Sequence, residues 1–526
     1  MADKVAKFAH DDASVVVIIG TGSGGGVLAN ELAQKGIKVV SLEAGGRYLP
    51  EDYINDEWDS FAQLAWTDMR TTSGDWRVAR DFANLPAWIV KAVGGTSIHW
   101  AGASLRFQPH EFKARSTYGH IEGANLLDWP ITLEELEPYY ERAEKKLGVT
   151  RTNDWPGLPG NNNFLVLEKG AKAIGYSKVS TGHMAINSVE NDDRPACQQT
   201  GFCFQGCKWG AKWSAAYTDI PKGEATGNLE VRDHSHATKI EHDETGKVTG
   251  VRYIDKDGKE QFQKARIVSV AGNSIESPRL LLASASEKFP DGLANSSGQV
   301  GRNYMRHTTG SVYAIFEKPV KMWRGTTMAG IVQDEVEHDP KRGFSGGYEM
   351  ETISLGLPFI AAFLDPGAWG REFTSAIDGY DNMAGIWIVG EDLPQETNRI
   401  TLDHSSKDQF GLPVANVHYT DHPNDIAMRN HAYEVGEKIY RAAGATRVLP
   451  TPPYPSTHNL GTNRMSENPR DGVVNKWGQS HDISNLFVSD GSVFTTSAAE
   501  NPTLTIVSLA IRQAEYIAAE MEKGTI

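Results

Sequence analysis

The sequence predicts an α/β fold. We expect a Rossmann-like dinucleotide-binding domain, discontinuous along the chain, and a second domain on an antiparallel β-sheet. Three observations support this: a strand–glycine turn–helix unit at residues 15–46, a second strand–turn–helix segment at 267–282, and strand-like segments rich in glycine and aromatic residues within 311–450. Since 526 residues are too many for one compact core, two or three domains are expected.

The opening unit carries the first functional signal. Residues 15–19 are unbroken and β-branched, as in a strand buried on both faces. Gly20, Gly22 and Gly25 follow as G-x-G-x-x-G, a turn that lets backbone approach a pyrophosphate at a helix N-terminus. Glu43 ends the second strand about 20 residues later, where it suits a ribose hydroxyl. The alternative is an ordinary βαβ unit whose glycines serve close packing, and the unit alone does not separate NAD from FAD.

Other segments predict elements of both domains. Thr132 and Glu135 form a capping box that begins a helix, and Gly148 ends it. Short alternating runs between 229 and 267 predict hairpins, with turns at 245–247 and 257–259. The remaining predictions are a strand at 267 that completes the nucleotide-binding sheet, strands at 346–363, 383–389 and 486–490, helices at 427–443 and 501–512, and loops with short helices at 50–90.

Composition excludes several classes of protein. The formal net charge of −15 argues against a nucleic-acid partner, which needs clustered basic residues. No stretch is apolar for long enough to cross a membrane, and the first residues lack the apolar core of a signal peptide. We therefore expect a protein without a transmembrane segment that is cytoplasmic, or exported by means its own sequence does not show.

All three cysteines of the chain fall within eleven residues, as Cys197-x5-Cys203-x3-Cys207. An odd, clustered set excludes a disulfide framework. Zinc usually takes four ligands, so three thiolates suit it poorly unless a histidine joins them. Thiolates also hold iron–sulfur clusters, and three ligands match a [3Fe–4S] cluster. The alternative is three buried, inert thiols.

Three further blocks, together with the opening unit, carry a family resemblance. They are the turn at 94–100, the H-x-x-G-T-x-R-M block at 458–465, and N-P-T-L-T at 501–505. The chain resembles the glucose–methanol–choline (GMC) oxidoreductases, and among these the catalytic subunits of bacterial sugar dehydrogenases. The resemblance implies FAD and oxidation of an alcohol by hydride transfer. It implies an FAD-binding domain at 1–110, 190–310 and 451–526, with an iron–sulfur loop at 194–213, and a substrate-binding domain at 111–189 and 311–450.

The resemblance also implies site residues. His458 matches the catalytic base, which takes the proton of the substrate hydroxyl; the alternative is a loop histidine with local hydrogen bonds. Asn501 matches its partner and would hold the hydroxyl; the alternative is helix capping. The thiolates of Cys197, Cys203 and Cys207 would hold the cluster. The cofactor-binding set comprises Gly20, Gly22, Gly25, Glu43, Gly95, Thr96, His99, Asp490, Pro502 and Thr503.

The role of His99 has two possible interpretations, with and without a covalent bond to the flavin. In pyranose oxidase, the histidine of the matching turn carries a covalent bond to the flavin, whereas non-covalent relatives also have a histidine near this position. The sequence leaves both open. Flavin left wholly in the supernatant after acid precipitation excludes the bond.

The resemblance bears on substrate and partners too. A sugar is the expected substrate, and Thr457 and Pro502 differ from glucose 1- and fructose dehydrogenases, which favours C3 of glucose or a glucoside over C1. The cysteine loop favours a dehydrogenase with a cytochrome c acceptor. A small subunit bearing the export signal is implied, which predicts a periplasmic enzyme. The alternatives are an oxygen-using oxidase and a redox-inert flavoprotein.

Overall fold

The computed structural model describes residues 7–56, 65–66, 72–73, 87–356, 364, 369–453, 456 and 458–526. The strands are β1 Val16–Ile19, β2 Val39–Leu42, β3 Ala65–Trp66, β4 Thr72–Ser73, β5 Trp88–Ile89, β6 Val179–Ser180, β7 Leu229–Arg232, β8 His236–His242, β9 Val248–Ile254, β10 Glu260–Lys264, β11 Ile267–Val270, β12 Thr308–Ile315, β13 Ile331–Val332, β14 Tyr348–Thr352, β15 Met383–Gly390, β16 Arg399–Lys407, β17 Pro413–His418, β18 Arg447–Pro450 and β19 Leu486–Val488. The α-helices are α1 Ser23–Gln34, α2 Ala114–Tyr118, α3 Leu133–Leu147, α4 Asn162–Ala173, α5 Asp219–Ala225, α6 Asn273–Ala283, α7 Gly370–Asp378, α8 Pro423–Ala443 and α9 Thr503–Lys523.

A five-stranded parallel sheet forms the first half of the fold, in the order β19-β11-β1-β2-β7. Its central strand β1 is fully buried, as its unbroken apolar run predicts. The predicted strand at 267 is β11, which pairs directly with β1. Helices α1 and α9 pack against each other beside this sheet. Strands from distant parts of the chain thus meet in one layer.

A six-stranded sheet forms the second half, in the order β18-β12-β15-β14-β13-β6, and its described pairings are antiparallel. Helices α4 and α8 pack on one another and on this sheet, and its strands supply much of a second hydrophobic core. The predicted α/β fold class, with a parallel sheet and a separate antiparallel one, is confirmed. The domain boundaries remain a prediction.

Local signals were accurate where capping chemistry was explicit. Thr132 accepts the backbone N–H of Glu135 at 3.3 Å, and Gly148 ends α3 in the left-handed conformation. The hairpins of β8, β9 and β10 are also confirmed. Helix α8 begins four residues before the predicted start. Helix α9 runs to Lys523, because its apolar face continues to Ile517.

Some predictions fall on residues outside the described ranges. Most of 50–90 lies there; the described part comprises 50–56, with a short 3-10 helix at Pro50–Asp52, the two-residue strands β3 and β4, and 87–90, which contains β5. Within the predicted strand region 346–363, β14 is described and 357–363 is not. Thr457 is also outside. Within the described ranges, none of the helices has the length and apolar character needed to cross a membrane.

Candidate active site

One large cavity lies between the two sheets, with a volume of about 2030 Å³ that includes the space at its open mouth. It begins at the glycine turn after β1 and reaches Trp387 on β15. The predicted catalytic residues His458 and Asn501 line it. So do nine of the predicted cofactor-binding residues, namely Gly20, Gly22, Glu43, Gly95, Thr96, His99, Asp490, Pro502 and Thr503. Gly25 does not.

The glycine turn at one end of the cavity is shaped to admit a ligand. Gly20 has φ +98°, and a Cβ there would lie 2.3 Å from the carbonyl oxygen of Ala271. Gly22 occupies the N-cap of α1 and has no side chain to cap the first helical turn, which leaves N–H groups for an anion. A Cβ on Gly25 would lie 2.2 Å from the Gly20 carbonyl, so Gly25 serves helix–strand packing.

Glu43 anchors this turn through hydrogen bonds to neighbouring residues. Its carboxylate accepts the Thr21 backbone N–H at 3.1 Å, the Thr21 hydroxyl at 2.8 Å and the Gly45 N–H at 3.0 Å. The Thr21 hydroxyl oxygen accepts the Gly94 N–H at 3.2 Å, which ties the second glycine turn to the first. Burial raises the pKa of Glu43. The carboxylate thus organises both turns, and its predicted contact with a ribose remains a prediction.

The start of α9 and Asp490 form another wall. Asp490 accepts the N–H groups of Ser492 and Asn273, each at 2.9 Å, and the Ser277 hydroxyl at 2.5 Å. It thereby joins the loop after β19 to the start of α6. Pro502 occupies the N-cap of α9, so its missing N–H costs no helical hydrogen bond. The first turn of α9 faces the cavity through Thr503.

His458 lies at the far end of the cavity beside a second histidine that sequence reasoning missed. The Nδ1 atoms of His458 and His307 are 3.0 Å apart, and His307 Nε2 is 3.0 Å from the Ser497 carbonyl oxygen. The carbonyl can only accept, so His307 carries its proton on Nε2 and accepts at Nδ1. His458 therefore donates from Nδ1, and its Nε2 has a free lone pair.

The lowered pKa values of His458 and His307 keep the Nε2 lone pair of His458 unprotonated. Burial and then the nearby His307 lower the pKa of His458 well below its usual value, and burial lowers the pKa of His307 to about 4. Both rings are therefore neutral at pH 7. Trp387 packs beside His458, with ring centroids 5.5 Å apart. The arrangement can accept a proton at a defined nitrogen. No spacing pattern in the sequence links His307 to His458, which is 151 positions away.

Asn501 is held by two carboxyl groups that were also missed. When both carboxyls are ionised, the amide orientation that satisfies both of its ends turns Nδ2 toward them, 2.9 Å from Glu351 Oε1 and 3.0 Å from Glu349 Oε1. Both glutamates project from β14, and Glu351 lies directly opposite Trp387 on β15. A signal for them exists in the sequence, because the alternation Tyr-Glu-Met-Glu-Thr at 348–352 places both carboxyls on one face of a strand.

The three cysteines line one smaller cavity. Two sulfurs receive backbone N–H groups: Gln199 N is 3.4 Å from Cys197 Sγ, and Lys212 N is 3.5 Å from Cys207 Sγ. Within the described ranges, no group of three or more histidine, cysteine or acidic side chains is placed to hold a metal ion. The sulfurs thus share a cavity without converging as ligands of a single ion.

Two links connect the cysteine loop to the large cavity. His99 Nδ1 donates to the carbonyl oxygen of Phe204, which lies inside the loop, at 2.6 Å. The buried Lys212 ammonium donates to the carbonyl oxygens of Ile98, Trp100 and Cys203 at 2.8, 2.6 and 2.8 Å. Burial lowers the pKa of His99 to about 4 and that of Lys212 to about 8. The turn carrying His99 and the loop carrying the thiols are therefore one packed unit.

A parallel sheet with a glycine turn, joined to an antiparallel sheet across a cavity that contains a neutral histidine, is the arrangement expected of a dinucleotide-dependent oxidoreductase. The chain belongs to the GMC oxidoreductase family, because sequence profiles described as GMC oxidoreductase match residues 16–309 and 394–510. The predicted family and class of enzyme, an FAD-dependent oxidoreductase of alcohols or sugars, are confirmed.

Individual relatives agree with this assignment. The chain is 34% identical to 2-methyl-1,2-propanediol dehydrogenase of Mycolicibacterium austroafricanum, over 96% of this chain and 95% of that protein. It is 30% identical to the fructose dehydrogenase large subunit of Gluconobacter japonicus, over 97% and 98%. A formate oxidase variant of Aspergillus oryzae shares the fold with a TM-score of 0.69 at 16% identity, covering 98% of this chain and all of that one (100%).

Proposed function

We propose that this protein is the FAD and [3Fe–4S] subunit of a sugar dehydrogenase that oxidises a secondary hydroxyl of glucose or a glucoside, with C3 the favoured carbon. One observation carries the proposal. His458, Asn501 and the glycine turn line the same cavity, and His99 on its wall is hydrogen-bonded to the loop that holds every cysteine of the chain. The competing substrate position is C1 of an aldose.

The cavity fits FAD. Gly20 and Gly22 leave room for backbone contact with a pyrophosphate, and α1 directs its N–H groups there. Gly95, Thr96 and His99 would contact the cofactor from the second turn, and the first turn of α9 would direct its positive dipole end toward it. When bound, FAD supplies the acceptor for the hydride that leaves the substrate carbon.

His458 and Asn501 divide the work on the substrate hydroxyl. His458 Nε2 takes the hydroxyl proton, which the neutral ring and its fixed tautomer permit. Asn501 holds the oxygen by a hydrogen bond and does not compete for the proton. Its distances to Glu349 and Glu351 mean that it contributes from a fixed position. The apolar side chains of Trp387, Ile353 and Met328 exclude water around the reacting carbon.

For the cysteine cavity we propose an iron–sulfur cluster rather than a single ion. One metal at about 2.3 Å from each sulfur requires the three sulfurs to converge, whereas a cluster accepts each thiolate on a different iron. Cys197, Cys203 and Cys207 line one cavity without such convergence. The N–H groups directed at two of the sulfurs suit thiolates. The loop is the proposed exit for electrons toward a cytochrome c or another acceptor.

The proposed partner subunit and cellular location rest on the similarity to the fructose dehydrogenase large subunit. The Gluconobacter relative is named as a large subunit, which supports a complex with a smaller one. We infer that a small subunit carries the export signal for both chains and that the enzyme works in the periplasm. The acidic net charge remains consistent with a protein that does not bind nucleic acid.

A visible spectrum with and without sugar tests the proposal. Anaerobic protein should show flavin and iron–sulfur absorption, and glucose or methyl glucoside should bleach the flavin band. Chemical analysis should find iron and inorganic sulfide with FAD. Product analysis by NMR decides the carbon, because a methyl glucoside has no free C1 hydroxyl and its oxidation supports C3. Peroxide release without iron would instead identify an oxidase, and FAD that no sugar bleaches would identify an inert flavoprotein.

A further inference from the structure

The side chain of Asn501 is enclosed by acidic groups on the side away from the cavity. Glu349 and Glu351 are 0% and 2% exposed, and both approach the same end of the Asn501 amide. Among the described residues, Glu351 Oε2 has no hydrogen-bond partner. Because β14 alternates, the two carboxyls share a face with Trp387 and Val389 of β15, next to the active-site cavity.

More carboxyl groups lie behind this pair. Gln333 donates to Glu349 Oε2 at 3.5 Å, and Gln108 donates to Glu500 Oε1 at 3.0 Å. Burial and the neighbouring Glu500 carboxyl raise the pKa of Glu111 well above its usual value, and burial raises the pKa of Glu500. Like charges this close in a buried site cannot all ionise. The cluster therefore holds protons at neutral pH.

The orientation of an amide side chain depends on the protonation of the groups around it. Its NH2 group only donates and its carbonyl oxygen only accepts. Protonated Glu349 and Glu351 donate to Asn501 Oδ1, and the NH2 group then faces the cavity. Ionised glutamates accept from Nδ2, and the carbonyl oxygen then faces the cavity. Both arrangements use the same atomic positions, in which the end of the Asn501 amide lies 2.9 Å from Glu351 Oε1 and 3.0 Å from Glu349 Oε1.

We propose that Glu349 and Glu351 are positioning residues for the reaction: in their protonated form they hold Asn501 with its NH2 group toward the substrate oxygen. This inference rests on the proposed role of Asn501. As His458 removes the hydroxyl proton, negative charge develops on the substrate oxygen, and an N–H donor stabilises that charge. A carbonyl oxygen presented at the same point repels it.

The alkaline side of the pH profile should report this arrangement. Burial raises the pKa of Glu351 to about 8, and burial with the neighbouring Glu351 and Glu500 raises the pKa of Glu349 well above its usual value. Glu351 is therefore mostly protonated at pH 7 and ionises as the pH rises past about 8. The other titratable groups around the site are Glu500, Glu111, Glu391, and, beyond Trp387, His458 and His307.

The test compares pH profiles of the holoenzyme. In the parent protein, kcat should fall above about pH 8, and the rate of anaerobic flavin bleaching should fall with it. In Glu351→Gln and Glu349→Gln, the new amide donates an N–H to Asn501 Oδ1 at every pH. These variants should keep kcat near the parent value at pH 7 and lose most of the alkaline decline. Glu351→Leu removes the donor and should lower kcat about 10-fold or more at every pH, with KM little changed.

Asn501→Ala separates the two proposals. If its kcat equals that of the parent, Asn501 is not part of the machinery and the proposed function loses that assignment. If its kcat falls but the glutamate variants keep the parent pH profile, the positioning role is wrong while the proposed function stands. In the Asn501→Ala background, Glu351→Gln should change nothing further, because both substitutions act through one interaction. FAD content and circular dichroism verify that each variant is folded; an unchanged alkaline limb in the folded glutamine variants overturns the inference.

Discussion

His307 Nδ1 lies 3.0 Å from His458 Nδ1, and the carbonyl oxygen of Ser497 accepts a hydrogen bond from Nε2 of His307. A backbone oxygen thus fixes the tautomer of two rings in series. The consequence is that the Nε2 atom of His458 has a free lone pair before any substrate binds.

Replacement of the base tests its role directly. His458→Ala should lower turnover by about 10²–10⁴-fold, because no group then accepts the hydroxyl proton, while FAD stays bound. The measurement is steady-state dehydrogenation with an artificial acceptor, normalised to flavin content. His404→Ala, at an exposed histidine, is the matched control and should be neutral. Near-normal turnover in the His458 variant would remove the assignment.

Replacement of His307 tests the tautomer argument. His307→Leu removes the acceptor at His458 Nδ1, so the base loses its fixed tautomer, and kcat should fall about 10–10²-fold with KM little changed. His307→Asn keeps an acceptor and should recover part of the loss. Equal rates in the two variants would contradict the role of the histidine pair.

On the acid side of the pH–rate profile, kcat/KM should decline only at low pH. Burial places the pKa of His458 well below 6.5, so the ring remains unprotonated and active as the pH falls through 6.5. We expect kcat/KM to stay level from pH 7.5 to below pH 6.5 and to fall only at lower pH. A decline centred at pH 6.5, the value of a solvated histidine, would show that the base is not desolvated.

The cysteine loop predicts a separable metal centre. Cys203→Ser should abolish iron and inorganic sulfide but retain FAD, since the glycine turns lie in another cavity. Sugar should still bleach the flavin, while electron transfer to a protein acceptor should be lost. Gln198→Ala, at an exposed loop position, is the control. Full iron content in the serine variant would refute the proposed ligand.

Two glycines with positive φ make a matched test of the turn. At Gly20 (φ +98°) a Cβ would meet the Ala271 carbonyl at 2.3 Å, so Gly20→Ala should destabilise the fold and lose FAD. At Gly36 (φ +79°) nothing lies within 4 Å, so Gly36→Ala should cost only about 1 kcal/mol of backbone strain. Thermal unfolding and flavin content measure both, and equal effects would show that close approach at Gly20 is unimportant.

Much of the fold could be predicted from local sequence patterns. The apolar run at 15–19, the glycine turn and the capping residues Thr132 and Gly148 act over a few residues, so their structural meaning is present in the chain order. Element ends were less accurate, as at α9, because a helix continues for as long as its apolar face finds a partner.

The amino-acid order was enough to identify the family, the nucleotide-binding unit, the base His458, its partner Asn501 and the clustered thiols as candidates. Folding alone decided what surrounds them. The pairing of His307 with His458 depends on where β12 begins relative to a loop 151 residues later, and the contact of Glu349 and Glu351 with Asn501 depends on the register of β14 against β15. These contacts join residues distant in the chain, so no local spacing encodes them, and their protonation is set by a burial that exists only once the two sheets meet.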